Sequence, residues 1–384
     1  MQDYIEIKLK KNVIIILIDG ARLDRVEKSK IFDIFRLKSN YFKQTITSAP
    51  YTTAALHALF SGCYGYRTGT NSYWHSLNFQ KNKFKSLVTY LKDDGFHTCG
   101  DGHSKLILAN HDFDEFHIHD ETNTVLVNHH SKLLENMALQ NKQGKNFLLY
   151  LTYSSIHTGI MNQVLKKYNN YSEEYFQNKE ENEKIYDSFF QNAEDYFEKI
   201  FDLIQNLHLD ENSIILVTSD HGISVGEKIG ERAYGAFCYD YTVKSFAYLY
   251  AKDLPNKEIS NQVCHVDFMP TILDYLGIKL DESYEKLDGK SLLPMIEGKK
   301  VDEEIVYIET GNPLGANKPP KIPNTKAVRT SKWKLIFNEY NNTKELYDLE
   351  NDPDENENLI DKNLEILETL WKKFLEIQST KANN

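Results

Sequence analysis

The sequence predicts an α/β protein, with a mostly parallel sheet flanked by helices and a small C-terminal α+β subdomain. Strand-like segments followed by helical patterns recur along the first two thirds of the chain, which is the signature of a parallel sheet covered on both faces. The second observation is a change of texture near Gly311, beyond which short strands follow one another before a terminal helix. Taking the elements in order, the aliphatic run Val13 to Ile18 places a core strand at Asn12 to Ile18. Further strands are expected at Asn146 to Thr152, Ser213 to Thr218 and Ser245 to Tyr250. Between the second and third of these, Phe189, Ala193, Tyr196, Phe197, Ile200, Phe201 and Ile204 recur at helical spacing and give one helix an apolar stripe to lay on the sheet.

The 384 residues suggest one large domain with an appendage, or two domains. The reading here is a catalytic α/β domain over 1–311 and a C-terminal subdomain over 312–384. A linker is expected at about 312–324, where Pro313, Pro319, Pro320 and Pro323 fall in a weakly hydrophobic stretch. Beyond it, Ala327 to Arg329, Trp333 to Asn338 and Glu345 to Leu349 read as strands, and about Leu364 to Ile377 as the terminal helix. A net charge of −11 argues against a general nucleic-acid binder. The longest aliphatic run is far short of the ~20 residues that span a bilayer. No secretory signal pattern precedes it, and Cys63, Cys99, Cys238 and Cys264 are widely spaced with no CxxC pair. The expectation is therefore a cytoplasmic protein with reduced thiols.

Open parallel sheets bind ligands beyond the carboxyl ends of their strands. Two apolar strands here end in metal-ligand types: Val13 to Ile18 runs into Asp19-Gly20, and Ile214 to Thr218 into Ser219-Asp220-His221-Gly222. An Asp after a strand is also a common turn residue. Adjacent Asp220 and His221 are more specific and suit a hard or borderline divalent cation. In Tyr51-Thr52-Thr53-Ala54-Ala55-Leu56 either threonine can cap a helix. A hydroxyl at a helix N-terminus is equally a place where an anion is held and a metal can activate the oxygen.

Taken in order, these segments resemble the alkaline phosphatase superfamily, and most closely its sulfatase-like branch. Ser61-Gly62-Cys63-Tyr64-Gly65-Tyr66-Arg67-Thr68-Gly69 is similar to the family's TG-x-Y-P-x-R-x-G, and Gly95-Phe96-His97-Thr98 to its G-Y-x-T strand. Ser219-Asp220-His221-Gly222 with Gly226-Glu227, and His265-Val266-Asp267-Phe268-Met269-Pro270-Thr271, match its later motifs. Ala327-Val328-Arg329, Lys332-Trp333-Lys334, Glu345 to Leu349, Asp352-Pro353 and Asn358-Leu359 resemble the sulfatase tail. The resemblance covers nearly the whole chain and implies an alkaline-phosphatase-like fold. It also implies one divalent metal (Mn, Zn, Mg or Ca) held by Asp19, Thr52, Asp220 and His221.

Four departures from the family pattern shape the expected chemistry. Sulfatases carry a Cys or Ser that becomes formylglycine ten residues before the motif's Gly; counting back from Gly62 lands on Thr52, and the family's Arg is Leu56 here. Thr52 therefore points to phosphorus: a metal-dependent hydrolase or transferase acting on a small-molecule or glycan-linked phosphodiester or phosphonate. A sulfuric-ester hydrolase is the alternative, and a non-catalytic member binding a glycan or a partner protein the second. Tyr153 stands where the two-metal branch has an Asp, so a second metal in the usual place is not expected. His157 is then expected to contact the substrate anion or assist the leaving group. His103 occupies the position of a sulfatase Lys and is taken with Thr52 and His157 as catalytic. His265 is at a family position but equally reads as a buried, hydrogen-bonded residue. His117, His119, His129 and His130 match no family motif and are expected on the surface or lining a loop above the site.

Overall fold

The computed structural model describes residues 11–120, 125–310 and 324–382. Strands β1 (Asn12–Ile18), β2 (Asn40–Ile46), β3 (His97–Gly102), β4 (Glu115–Ile118), β5 (Phe147–Tyr153), β6 (Ser213–Thr218), β7 (Lys244–Tyr250) and β8 (Glu258–Cys264) form the main sheet. Their order across it is β4-β3-β5-β1-β6-β7-β2-β8. All neighbours are parallel except where β7 lies against β6 and β2, so the sheet is mostly parallel.

The alternation along β1 shows why the sheet needs two covers. Val13, Ile15 and Leu17 join one core with Leu56, Leu59 and Phe60 of helix α1 (Thr52–Ser61). Ile14, Ile16 and Ile18 join the other, which receives helices α2 (Val127–Lys142), α3 (Ser155–Ile160) and α4 (Lys179–Asn206). The stripe on α4 is buried from Ala193 to Ile204, with Phe190 rather than Phe189 as its leading core residue. Phe189 sits one step round the helix, with its ring over Gly159 of α3.

Several strands carry no clean sequence signature. β2 places Lys43 and Gln44 in mid-strand and its pairing shifts register there, which breaks the period-2 pattern. β8 is an edge strand with exposed Glu258, Ser260 and Asn261, and so lacks the apolar run of a central strand. Helix α5 (Phe268–Tyr275) packs below it through Phe268, Met269, Ile272 and Leu273.

The C-terminal sheet is antiparallel, in the order β12-β11-β10-β9, from β9 (Val306–Glu309), β10 (Thr325–Arg329), β11 (Trp333–Asn338) and β12 (Thr343–Asp348). Helix α6 (Leu364–Ala382) covers it with Leu370 and Phe374 against Val328, Leu335 and Leu346. The first strand thus comes from the N-terminal side of the expected 311/312 boundary. The expected linker lies outside the described residues apart from Asn324. Buried ion pairs to Asp240 fasten this sheet to the main domain: Arg329 meets it at 2.8 Å and Lys334 at 2.6 Å, while Lys334 also pairs with Glu355 of its own subdomain at 2.7 Å.

Candidate active site

β1 and β6 are paired in register, so Asp19 and Asp220, just past their ends, emerge side by side. Two glycines allow the sharp exits. Gly20 has φ +75°, and its N–H donates to Asp220 Oδ1 at 3.1 Å, tying one loop to the other. A Cβ on Gly222 would lie 2.2 Å from the Tyr241 carbonyl oxygen, while its N–H donates to the Thr242 carbonyl at 2.8 Å. Asp19, Asp220 and His221 are all fully buried, and one ligand atom from each lies within 4.8 Å of the others.

His221 presents a lone pair to this point. Its Nδ1 lies 2.8 Å from the Gly222 carbonyl, an acceptor, so the ring proton is assigned there and Nε2 faces the acids. Nε2 is 3.3 Å from Asp220 Oδ2, 4.0 Å from Asp19 Oδ1 and 3.4 Å from Thr52 Oγ1. Thr52 is the first residue of α1; the cap is Tyr51, in extended conformation, and no side chain caps the helix. The hydroxyl of Thr52 thus serves the cluster and not the helix end. Thr53 is half-buried.

Electrostatics single this cluster out. Neither Asp19 oxygen nor Asp220 Oδ2 has a hydrogen-bond partner among the described residues. Burial pushes the Asp19 carboxyl up, but His157, His221 and His103 around it outweigh burial and bring it to about 2. Burial and the adjacent Asp19 push Asp220 above its ordinary value against the pull of His221. Two buried carboxylates with uncommitted oxygens, an imidazole lone pair and a hydroxyl form a donor set that fits a divalent cation.

His157, in α3, places Nδ1 3.6 Å from Asp19 Oδ1 and 3.3 Å from the Tyr234 hydroxyl. His103, just past β3, lies with its ring centroid 5.4 Å from that of His157, the planes 19° apart. The structure therefore brings Asp19, Thr52, Asp220, His221, His157 and His103 to one place. Tyr153 turns into the core and stacks on Tyr196 at 4.3 Å. His265 is buried behind the site, where burial and His221 depress its pKa to about 3.

Sequence reasoning missed Tyr234, whose ring also lies 4.6 Å from that of His221. Arg232, two residues earlier, has buried Nε and Nη1 atoms with no hydrogen-bond partner among the described residues. Neither sits in a motif, and an Arg and a Tyr in a loop give no spacing to read. The expectation for the remaining histidines needs correction. His119 and His130 are buried, and together with the half-buried His129 they converge on the buried carboxylate of Asp101; His117 is half-buried as well, beside Glu115. Their ligand atoms come from two strands and a helix, so no short motif announces them.

Comparison with known proteins gives this geometry its family. The Sulfatase family model matches residues 11–278, and a second model, N-sulphoglucosamine sulphohydrolase, C-terminal, matches 237–380. The chain belongs to the sulfatase family. It is 29% identical over 187 residues to arylsulfatase K of Canis lupus familiaris, a match covering 45% of this chain. It is 27% identical over 177 residues to choline-sulfatase of Rhizobium meliloti (strain 1021), again over 45% of this chain. The chain spans about a third of the length of these curated relatives, 32% of each. Among solved structures, the putative sulfatase yidJ from Bacteroides fragilis superposes with a TM-score of 0.76 at 18% identity, covering 98% of this chain and 97% of that one. A protein solved with its substrate D-glucosamine-2-N,6-O-disulfate superposes with a TM-score of 0.74 at 15% identity, covering 98% and 99%. The fold is thus that of the sulfatases, within the alkaline phosphatase-like superfamily.

These matches overturn the phosphoester reading. It rests on one short segment, Thr52 to Leu56, whereas the sulfatase likeness extends along the chain into the C-terminal sheet. A hydroxyl in place of an aldehyde hydrate bears on how the ester is attacked; it does not decide which element sits at its centre. The enzyme class that the family supports is a hydrolase.

Proposed function

We propose that this chain hydrolyses sulfuric esters of small sugars or comparable organic alcohols, with Thr52 as nucleophile. The observation that carries the proposal is the convergence of the Thr52 hydroxyl with Asp19, Asp220 and His221 in a sulfatase-family chain. A divalent cation held by Asp19, Asp220, His221 and Thr52 would supply charge neutralisation for the sulfate and a lowered pKa for the hydroxyl.

Thr52 cannot be converted to an aldehyde, so its oxygen, with the hydroxyl proton released to solvent, attacks sulfur directly as the alkoxide. An S–O bond to Thr52 forms, the S–O bond to the alcohol breaks, and His157 gives the departing oxygen a proton, held for that task between Asp19 and Tyr234. Water then attacks sulfur, the bond to Thr52 breaks, and hydrogen sulfate leaves while His157 regains a proton. His103 packs beside His157 and fixes its ring. Arg232, with its uncommitted donors next to Tyr234, would meet a sulfate oxygen or a second anionic group of the substrate. We also place the protein in the cytoplasm, a reading supported by four cysteines that are all buried and unpaired. Among the described residues no helix is long and apolar enough to cross a membrane.

The test is a matched panel of aryl and sugar sulfates, phosphate monoesters and phosphodiesters, with and without chelator. Sulfate esters turned over fastest, and lost on chelation, is the expected result; a phosphate ester turned over faster overturns the proposal.

A further inference from the structure

Asp101 lies near the end of β3, and its carboxylate is fully buried. His119, one residue past β4, puts Nδ1 2.6 Å from Asp101 Oδ1. His130, in the first turn of α2, puts Nε2 2.9 Å from the same oxygen, and the adjacent His129 puts Nε2 2.8 Å from Oδ2. The second nitrogens of the two buried rings are also committed: His119 Nε2 is 2.7 Å from Ser154 Oγ and His130 Nδ1 is 2.7 Å from the Tyr196 hydroxyl. We propose that Asp101, His119, His129 and His130 form a second metal site, separate from the Asp19–Asp220–His221 centre, that takes one divalent cation of the zinc class.

The donor set supports this on three counts. One ligand atom each from Asp101, His119 and His130 lies within 4.8 Å of the others, and His129 Nε2 stands at the second carboxylate oxygen; three imidazoles and a carboxylate supply the four donors that a tetrahedral cation takes and suit a borderline cation better than calcium or magnesium, which take oxygen ligands. Ligating imidazoles characteristically engage their other nitrogen with a hydroxyl, carbonyl or carboxylate, as His119 does with Ser154 and His130 with Tyr196. The arrangement also has a way in, because the His129 side chain is 35% exposed while the other three are nearly or wholly buried. With every coordination position supplied by the chain, the site is structural, not catalytic. It would clamp β3, β4, α2 and the residue just before α3, and so brace the wall that carries His103 and His157.

The competing arrangement is a metal-free hub in which three ring N–H groups donate to Asp101. Metal stoichiometry separates the two. The full chain would be stripped with chelator and titrated with Zn2+, then Co2+, in wild type and in an Asp19→Asn/Asp220→Asn variant that removes the first centre. The variant should still bind one equivalent, with the intense visible absorption of four-coordinate cobalt. His129→Gln in that background, a change at the partly exposed ligand, should weaken binding at least about 10-fold while leaving the thermal unfolding of the metal-free protein near that of the parent. His130→Gln should abolish the cobalt spectrum. No zinc or cobalt bound by the Asp19→Asn/Asp220→Asn variant overturns the proposal. So does an equivalent that survives both His129→Gln and His130→Gln unchanged.

Discussion

Two groups of buried acids in this molecule are built in opposite ways. Around Asp240, Arg329 donates through Nε at 3.0 Å and Nη2 at 2.8 Å, Lys334 sits 2.6 Å away, and Glu355 accepts the Asp240 N–H at 2.6 Å. Around Asp19 and Asp220, both oxygens of Asp19 and Oδ2 of Asp220 are buried with no hydrogen-bond donor among the described residues. Charge buried for the sake of the fold is neutralised by the chain itself; charge buried for a ligand is left for the ligand to neutralise. The first group joins two sheets, the second lies at strand ends where this fold class binds ligands.

The comparison breaks most visibly at Asp240. Asp240→Asn leaves Arg329 and Lys334 buried without their main partner and should cost about 3–5 kcal/mol in urea unfolding, since removing one member of a buried ion pair strands the other. Turnover per folded molecule should stay near wild type. A loss of activity with no loss of stability would contradict the division of labour drawn here.

Asp220→Asn should act in the reverse sense. It removes an uncompensated buried charge, so the metal-free protein should gain about 1–3 kcal/mol, while metal binding and turnover disappear. Differential scanning of the chelated proteins, paired with a sulfate-ester assay, checks both halves. Destabilisation of the metal-free form would mean that Asp220 is already satisfied within the fold.

The two groups also bend stability with pH in opposite directions. Burial pushes the Asp240 carboxyl up, but Arg329 and Lys334 outweigh it and hold the group well below its ordinary 3.8. A depressed folded-state pKa gives stability that is present above about pH 4 and is lost on acidification. Asp220 is raised instead, chiefly by burial and Asp19, so in the metal-free protein its contribution is present below about pH 4 and is lost as pH rises. Urea midpoints at pH 3.5, 5 and 7 should therefore show the Asp240→Asn deficit shrinking towards acid. The Asp220→Asn gain should shrink in the same direction, because protonation removes the charge that Asn removes. A gain that grows at low pH would reverse the assignment.

What could be read from the sequence follows the same line. β1 and β6 are aliphatic runs closed by Asp19 and by Asp220-His221, so both the strands and the ligands they deliver are local signals. Thr52 was reached by counting from Gly62, again within one segment. The convergence of His119, His129 and His130 on Asp101 is not legible in the sequence, because the carboxylate comes from β3 and the imidazoles from the end of β4 and the start of α2, joined only by parallel pairing of β3 with β4 and by packing of α2. β9 has no such local signal: its partner β10 lies beyond residues 311–323, and nothing in Val306 to Glu309 names that partner. Pairing across a distance leaves no periodicity in either segment alone. The phosphoester reading fails for a related reason: it weighs the local departures at Thr52 and Leu56 above motifs spread over the whole chain.

Thr52→Ala carries the smallest expected change in stability and sharpens the comparison most cleanly. Thr52 is the first helical residue of α1 and Tyr51 is the cap, so removing the hydroxyl takes no hydrogen bond from the helix end. Alanine is also the strongest helix former, and the unfolding free energy should move by less than about 1 kcal/mol. Sulfate-ester turnover should fall to background, while metal affinity weakens only modestly because Asp19, Asp220 and His221 remain. Thr53→Ala, one step round the helix, should leave turnover intact. If Thr52→Ala keeps its activity, or Thr53→Ala loses it, the nucleophile has been placed on the wrong hydroxyl even though the acids around it are rightly assigned.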